Sequence, residues 1–209
     1  MWNERYSQPG FAYGTAPNDF LVSVTDIIPL GKILSLAEGE GRNAVYLASR
    51  GYDVVAVDSS GVGMGKAKQF ALDCGVTIAT VVADLRDFHI APESWEGIVS
   101  IYCHLPSAIR VPLHKSVVNG LKCGGVFVLE AFSLRQIGYG TGGPQSEDML
   151  MSLDALRQEL AGLRLIHAVE TEREVLEGRH HTGMASIVQI VAVKDDSYPI
   201  DSKPSTVLS

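Results

Sequence analysis

The sequence predicts a single α/β domain with a mostly parallel sheet, helices on both faces and an antiparallel hairpin near the C-terminus. Short, nearly continuous apolar runs alternate with helix-length segments, which is typical of βαβ units whose strands are buried on both faces. Two longer strand-like segments then follow one another across a short turn. The 209 residues, 46% of them hydrophobic, are within reach of one domain.

The order of elements follows from residue type. Residues 1–16 are aromatic and polar, and a helix is predicted from about Pro17 and Asn18 until Pro29 ends it. The alternating region gives predicted strands at 32–36, 53–57, 76–82, 97–103 and 125–132, and predicted helices at 42–50, 62–73 and 106–121.

The last third of the chain has a different pattern. A glycine-rich stretch, 138–144, leads to a helix predicted near 153–160, with Ser152 as its N-cap. The glycine-rich stretch is either a lid or a plain crossover. Strands are predicted at 164–176 and 183–193 around a turn at 177–182. Residues 195–209 are polar and contain two prolines, so a disordered tail is expected after a domain spanning 1–194.

Composition excludes several classes of function. The net charge of −7 gives no electrostatic basis for binding nucleic acid or anionic membranes. Three widely spaced cysteines indicate neither a disulfide framework nor a zinc site. No signal peptide or membrane-spanning run is recognised. We expect a cytoplasmic protein, monomer or homodimer, that acts on a small-molecule substrate without a metal.

The first strand-to-helix turn carries the strongest functional signal. It reads Leu-Ala-Glu-Gly-Glu-Gly-Arg-Asn-Ala over 36–44, and its small residues allow a sharp turn and close approach of a ligand. Asp58 ends the second strand, where a carboxylate accepts hydrogen bonds from both ribose hydroxyls of an adenosine. Asp84 and Leu85 end the third strand and suit the adenine. Together these residues predict an adenosine across the carboxyl ends of the strands.

Charge favours S-adenosylmethionine (SAM) over a dinucleotide. A dinucleotide places its pyrophosphate against this loop and helix N-terminus, where Glu38 and Glu40 repel phosphate. SAM carries a sulfonium and an ammonium that suit these acids, while Arg42 or backbone N–H groups suit its carboxylate. Two alternatives stay open: an NAD-dependent oxidoreductase and a non-catalytic SAM-binding or nucleotide-binding protein.

Longer motifs add a resemblance. They are Trp2-x-x-Arg5-Tyr6, Tyr13-Gly14-x-x-Pro17-Asn18-x-Phe20-Leu21, Glu38-Gly39-Glu40-Gly41-Arg42-Asn43-Ala44, Gly51-Tyr52-Asp53-Val54-x-Ala56-x-Asp58, Asp84-Leu85 and Leu121-Lys122-x-Gly124-Gly125. Over residues 1–194 the chain resembles class I SAM-dependent methyltransferases, most closely the tellurite-resistance-like group and more distantly the thiopurine methyltransferase-like group. The resemblance implies a Rossmann-like seven-stranded sheet whose last strand is antiparallel.

The resemblance also implies ligand contacts. Gly39 and Gly41 would line the methionine part of SAM, Cys103 and His104 would flank the methyl donor, and the N-terminal segment 1–28 would close over cofactor and substrate. The predicted SAM-binding residues are Tyr13, Glu38, Gly39, Glu40, Gly41, Arg42, Asn43, Asp58, Ser59, Asp84, Leu85, Cys103 and His104. The family usually has an acid at position 35 and a glycine at position 37, where this chain has Ser35 and Ala37.

Catalysis would be an in-line displacement that leaves S-adenosylhomocysteine (SAH) and needs alignment and exclusion of water. A thiolate or chalcogen oxyanion needs little base assistance, whereas an oxygen or nitrogen nucleophile needs a base. His104 is the first candidate base, against the alternative of a loop histidine hydrogen-bonded to backbone. The predicted catalytic residues are His104, Arg179 and His181, and the predicted substrate-binding residues are Trp2, Arg5, Tyr6, Phe132 and His180. A solvated turn is the alternative for Arg179, His180 and His181, and a buried, inert thiol is the alternative for Cys103.

Overall fold

A computed structural model describes residues 2–178 and 181–195, except for the side chain of His181. The strands are β1 (Lys32–Leu36), β2 (Asp53–Asp58), β3 (Ala79–Val82), β4 (Trp95–Ile101), β5 (Leu121–Phe132), β6 (Arg164–Glu177) and β7 (His181–Val193). The helices are α1 (Trp2–Tyr6), α2 (Asp19–Val24), α3 (Arg42–Ser49), α4 (Gly61–Asp73), α5 (Ser107–Gly120) and α6 (Leu153–Glu159). Short 3-10 turns lie at Thr25–Ile27, Leu134–Gln136 and Glu147–Met149.

The strands form one sheet in the order β3-β2-β1-β4-β5-β7-β6. The first five strands pair in parallel, and β7 runs antiparallel to both of its neighbours. This confirms the predicted Rossmann-like sheet with its C-terminal antiparallel hairpin. The chain reverses its direction of winding between β1 and β4, which is where open α/β sheets bind ligands.

Two hydrophobic clusters pack on opposite faces of the sheet. Helices α2, α3 and α4 pack on one face, with Leu21, Leu47 and Ala67 fully buried. Helices α5 and α6 pack on the other, with Val117 and Leu156 fully buried. Alternate positions along β1, β2, β4, β5 and β7 supply both clusters, which explains why these strands read as continuous apolar runs.

The structure differs from the sequence prediction in local details. An unpredicted short helix, α1, opens the described chain, and β3 is shorter than the predicted strand at 76–82. Strand β5 begins at Leu121, four residues before the predicted start, and a bulge in its pairing with β4 lies at Gly124, which has a φ of 75°. Ser152 caps α6 by accepting a hydrogen bond from the N–H of Ala155, as predicted. Of the predicted tail, residues 196–209 lie outside the described part.

Within the described residues, the helices are all too short or too polar to cross a membrane.

Ala37, where related sequences usually have glycine, adopts a left-handed backbone with a φ of 50°. This conformation costs an L-residue about 1 kcal/mol, and the cost is absent for glycine. We therefore expect Ala37→Gly to stabilise the protein by about 0.5 kcal/mol, after the gain in unfolded-chain entropy is subtracted. Chemical denaturation would measure this. Ala48→Gly in right-handed α3 is the control and should destabilise by about 1 kcal/mol. A loss of stability in Ala37→Gly would contradict the strain argument.

Candidate functional site

A cavity of about 1050 Å³ opens at the carboxyl ends of β1 to β4. Its walls come from the loops after these strands, from α1 and from residues 142–149. Thirteen predicted site residues line this cavity together: Trp2, Arg5, Tyr6, Tyr13, Glu38, Arg42, Asn43, Asp58, Ser59, Asp84, Leu85, Cys103 and His104. Residues far apart in sequence are therefore brought to the one place where this type of sheet binds ligands.

The carboxylate of Glu38 caps helix α3. Its Oε1 atom accepts hydrogen bonds of 3.0 Å from the backbone N–H groups of both Asn43 and Ala44. The hydroxyl of Ser35 donates to Oε2. Burial raises the pKa of Glu38, and these donors oppose the rise by stabilising the charged form. A carboxylate therefore already occupies the helix N-terminus that a phosphate would need.

Asp58 ends β2 beside this loop. Its two oxygens accept hydrogen bonds from the N–H groups of Gly39 (2.9 Å) and Ser60 (2.8 Å). Each oxygen has a further lone pair, so the carboxylate can also accept hydrogen bonds from a diol in the cavity. Burial raises the pKa of Asp58, and the two N–H donors lower it again.

Asp84 and Leu85 follow β3 at the same edge. The Oδ1 atom of Asp84 accepts a hydrogen bond of 2.8 Å from the N–H of Arg86, which fixes the turn. Asp84 is exposed, whereas Leu85 is buried. This pairing of an acid with an apolar neighbour suits the polar edge and the flat face of an adenine.

The N-terminal segment, residues 2–14, covers one side of the cavity. Tyr6 is buried over Gly39 and Gly63, where an added Cβ would lie 2.7 Å and 2.9 Å from its side chain. Trp2 stacks on Tyr6 with ring centroids 5.7 Å apart. The guanidinium of Arg5 lies 5.0 Å from the Trp2 ring and donates to the Tyr13 hydroxyl. The segment is therefore fastened by specific contacts with the ligand loop.

Three residues predicted to touch the cofactor have structural roles. The carboxylate of Glu40 points away from the cavity and binds the N–H of Ala12 (2.7 Å) and the ammonium of Lys66 (2.8 Å). Gly41 leaves room for Ala67, 2.7 Å from the position of an added Cβ. Gly39 lies under Tyr6. The prediction of direct ligand contact is therefore corrected for the side chain of Glu40, while Gly39 and Gly41 lie outside the cavity lining and their predicted contact stays a prediction.

The arrangement of His104 favours the stated alternative, a loop histidine hydrogen-bonded to backbone, over a general base. Its Nδ1 atom lies 2.9 Å from the carbonyl oxygen of Met149, and its Nε2 atom accepts a hydrogen bond from the N–H of Phe132. The lone pair that a base needs is therefore already used. His104 instead ties the loop after β4 to β5 and to the loop before α6.

We expect His104→Ala to lower the free energy of unfolding by about 2 kcal/mol, because it leaves a backbone N–H and a carbonyl without their partner. Denaturant titration would measure the loss. His89→Ala, at an exposed position, is the control and should change stability by less than about 0.5 kcal/mol. Equal stability of the two variants would refute the structural role of His104.

Phe132 is also corrected. The side chain was predicted to bind substrate, but it is fully buried behind the cavity wall. Its ring packs against Tyr102 and His104, with centroids 4.7 Å and 5.4 Å away. Tyr102 lines the cavity instead, at a φ of 52° that is unusual for an aromatic residue. The sequence carried no signal for this positive φ.

Cys103 lines the cavity but is almost fully buried. Burial, together with the nearby charge of Asp58, raises the pKa of its thiol to about 12. Below that pH the thiol stays protonated, so it does not act as a nucleophile at neutral pH.

Thiol labelling should distinguish the three cysteines. We expect Cys74 and Cys123, which are exposed, to react with Ellman's reagent at pH 8, whereas Cys103 reacts only after unfolding. Cys103→Ser should leave the native count unchanged and lower the unfolded count by one thiol. Rapid native labelling of Cys103 would contradict the raised pKa and the burial.

A buried polar network lies behind the cavity. Glu177 binds Arg42 at 2.6 Å and Asn18 at 2.7 Å. Glu130, which is fully buried, binds the same Asn18 amide at 2.7 Å and Arg173 at 2.6 Å. Within the described part of the chain, Nη1 of Arg42 is buried without a hydrogen-bond partner. Because Arg42 lines the cavity, this unused donor is the group we assign to an anionic part of a ligand.

The glycine-rich loop forms part of the cavity wall. Gly142, Gly143 and Pro144 line it, and Gln136 holds the loop through Thr141 and the carbonyl of Gly142. The sequence analysis left two alternatives for this loop, a lid or a plain crossover. In the structure the loop lines the cavity. Arg179 and His180 lie outside the described residues, as does the side chain of His181, so their predicted roles stay predictions.

Comparison with known proteins agrees with this geometry. A methyltransferase-domain family profile matches residues 33–125. A solved structure of TehB from Haemophilus influenzae superimposes with a TM-score of 0.71 at 18% identity, over 93% of this chain and 66% of that one. Residues 33–125 therefore match a methyltransferase domain, and the fold is that of solved SAM-dependent methyltransferases.

Two further proteins are similar to this chain. A solved structure described as the conversion of a disulfide bond into a thioacetal group during echinomycin biosynthesis has a TM-score of 0.75 at 18% identity, covering 94% of this chain and 89% of that one. A 2-heptyl-1-hydroxyquinolin-4(1H)-one methyltransferase from Mycobacteroides abscessus is 25% identical over 129 residues, which is 60% of this chain. The match spans 57% of that relative's length.

The residues that line the cavity fit SAM on their own chemistry. The unpartnered Nη1 of Arg42 suits the carboxylate, and Asp58 suits the ribose. The volume exceeds that of a small ligand, which leaves space for an acceptor as well. Across residues 2–178 and 181–195, no group of three or more His, Cys, Asp or Glu side chains is arranged to hold a metal.

Sequence reasoning missed two kinds of site residue. Ser35 was treated as a departure from the family pattern, but it lines the cavity and donates to Glu38. Apolar cavity residues were also missed, because no chemical signal marks them in the sequence. They are Leu105, Pro106, Ile109 and Met149.

Proposed function

We propose that this protein transfers the methyl group of SAM to a small-molecule acceptor. The observation that carries the proposal is the capping of α3 by Glu38 within the same cavity that holds Asp58. Asp58 provides the ribose site that SAM and NAD share. Glu38 fills the phosphate-binding position that only NAD needs. The pair therefore favours SAM over a dinucleotide, and a methyltransferase over an oxidoreductase.

Different residues of the chain bind different parts of SAM. Asp58 holds the ribose, Asp84 and Leu85 hold the adenine, and Arg42 holds the carboxylate. When bound, SAM supplies a methyl group made electrophilic by its sulfonium. The N-terminal segment and residues 142–149 enclose the reacting groups and exclude water, so that an in-line displacement is aligned and protected. No metal takes part in this scheme, and SAH is the product.

A small molecule is the acceptor class that the cavity favours. Among the described residues, the N-terminal segment covers one side of the cavity, which favours a small molecule over a polymer. The acidic chain also disfavours nucleic acid and anionic membrane surfaces as partners. The quinolone methyltransferase named above is itself named for a small-molecule acceptor. We propose a cytoplasmic acceptor that is a thiol, a chalcogen oxyanion or a similar compound, and the inference below narrows this set to organic acids.

Isothermal titration calorimetry with SAM, SAH and NAD tests the proposal. We expect binding of SAM and SAH at about micromolar Kd and no measurable binding of NAD. Binding of NAD alone, or of none of the three, would overturn the proposal. Binding of SAM without turnover on any thiol, chalcogen oxyanion or aromatic acid would favour the non-catalytic alternative.

A further inference from the structure

The two ends of the cavity differ in chemistry. The end nearest β2 and β3 carries the polar groups assigned to the adenosine. The end nearest β4 and β5 is apolar, with Leu105, Pro106 and Ile109 from the loop and the start of α5, and Met149 from the loop before α6. A hydrated inorganic ion gains nothing from such a surface, whereas an apolar or aromatic body is stabilised by contact with it.

Charge is distributed unevenly around the same cavity. Every carboxylate that lines it among the described residues follows β1, β2 or β3: Glu38, Asp58 and Asp84. Three cations line it as well: Arg42 and Arg86, which follow β1 and β3 as the carboxylates do, and Arg5 on α1. No described carboxylate therefore lines the apolar end to repel an anion, and Arg5, which is not assigned to the cofactor, attracts one.

The described lining also contains no free base. Both ring nitrogens of His104 are engaged by backbone groups. Burial raises the pKa of Cys103 and of the cavity tyrosines Tyr6, Tyr13 and Tyr102, so these groups stay protonated at neutral pH. The carboxylates are held by N–H donors at the cofactor end. None of these groups removes a proton from an acceptor at the apolar end.

We infer that the acceptor is an organic acid with an apolar or aromatic body, which binds as the anion with its nucleophilic atom already deprotonated. This inference rests on the proposed function and names the substrate class of the same site. The acceptor atom uses its own electron pair to bond the methyl carbon, while the carbon–sulfur bond breaks and its electrons stay on sulfur. An anion and a sulfonium give two neutral groups, so no proton is released and no base is needed.

Binding to the SAH-loaded protein gives the first test, with 2-naphthoate, its neutral isostere 2-naphthamide and inorganic selenite as probes. We expect 2-naphthoate to bind at least about tenfold more tightly than the amide, and selenite not to bind. Ile109→Gln should weaken naphthoate binding about tenfold while leaving SAH binding unchanged. Leu72→Gln, at an exposed position outside the cavity, is the control.

The outcomes separate this inference from the proposed function. Equal binding of naphthoate and naphthamide would overturn the requirement for an anion. Binding of selenite alone would overturn the inference that the acceptor has an apolar body. Either result, obtained with intact SAH binding, leaves the methyltransferase assignment in place, whereas loss of SAH binding to the unsubstituted protein removes both proposals.

The pH dependence of methyl transfer gives the second test, with arenethiols and arylalkanethiols of graded acidity as acceptors. We expect the pH at half-maximal rate to follow the pKa of each thiol, since the thiol itself must ionise. His180→Asn and His181→Asn test the side chains outside the described part, and neither should change the profile. The inference would be overturned if all acceptors gave the same pH at half-maximal rate and if either variant removed this pH dependence. That result would show that a base of the protein takes the proton.

Discussion

Replacing Asp58 with alanine is expected to lower the affinity for SAM and for SAH by about a hundredfold or more. The variant removes a buried carboxylate that is placed to accept hydrogen bonds from the ribose hydroxyls, and each such charge-assisted bond contributes about 1.5–3 kcal/mol. It also frees the N–H groups of Gly39 and Ser60, which shape the ligand loop. Calorimetric titration of both ligands measures the effect.

Asp53→Ala is the matched control for this experiment. Asp53 begins the same strand that Asp58 ends, but it is exposed and lies outside the cavity. Its SAM affinity should stay within about twofold of the unsubstituted protein. Because burial raises the pKa of Asp58, affinity should begin to fall at a higher pH on acidification than an ordinary aspartate would give. An Asp58→Ala variant that binds SAM normally would refute the ribose assignment and with it the orientation of the ligand.

Replacing Glu130 with alanine is expected to give the largest loss of stability, about 3–5 kcal/mol. Glu130 is fully buried and accepts hydrogen bonds from Asn18, Arg173 and Gln189. Removing one partner of a buried ion pair leaves the other charge without compensation. For a chain of this length the loss corresponds to about 10 °C in Tm, which differential scanning calorimetry detects.

An exposed ion pair supplies the control for Glu130. Asp26 pairs with Arg50 at 2.9 Å, and both side chains are largely exposed. Asp26→Asn should therefore change stability by less than about 0.5 kcal/mol. A similar small effect in Glu130→Ala would mean that solvent or a rearranged Glu177 satisfies Arg173, and the network would then have little role in holding α2, β5 and the hairpin together.

The order and type of the strands were predictable from the sequence, because their physical causes are local. A strand buried on both faces needs a continuous apolar run, and a helix between strands needs an apolar stripe and an end signal. The bulge at Gly124 was not predictable, since it depends on the register between β4 and β5. Asp58 and Asp84 were found because strand ends meet at one edge of a parallel sheet, whatever the details of packing.

What the sequence determined by itself is the fold class and the set of residues around the cofactor cavity, since both follow from periodicity and from positions at strand ends. Tertiary structure alone decided which of these side chains face the cavity. Glu38 and Glu40 are two residues apart, yet one caps α3 and lines the cavity while the other binds Lys66 and Ala12. It also favoured one of the two roles predicted for His104, because distant backbone groups of Met149 and Phe132 use both ring nitrogens. Such partners lie far away in the chain, so only the packing of strands and loops brings them together.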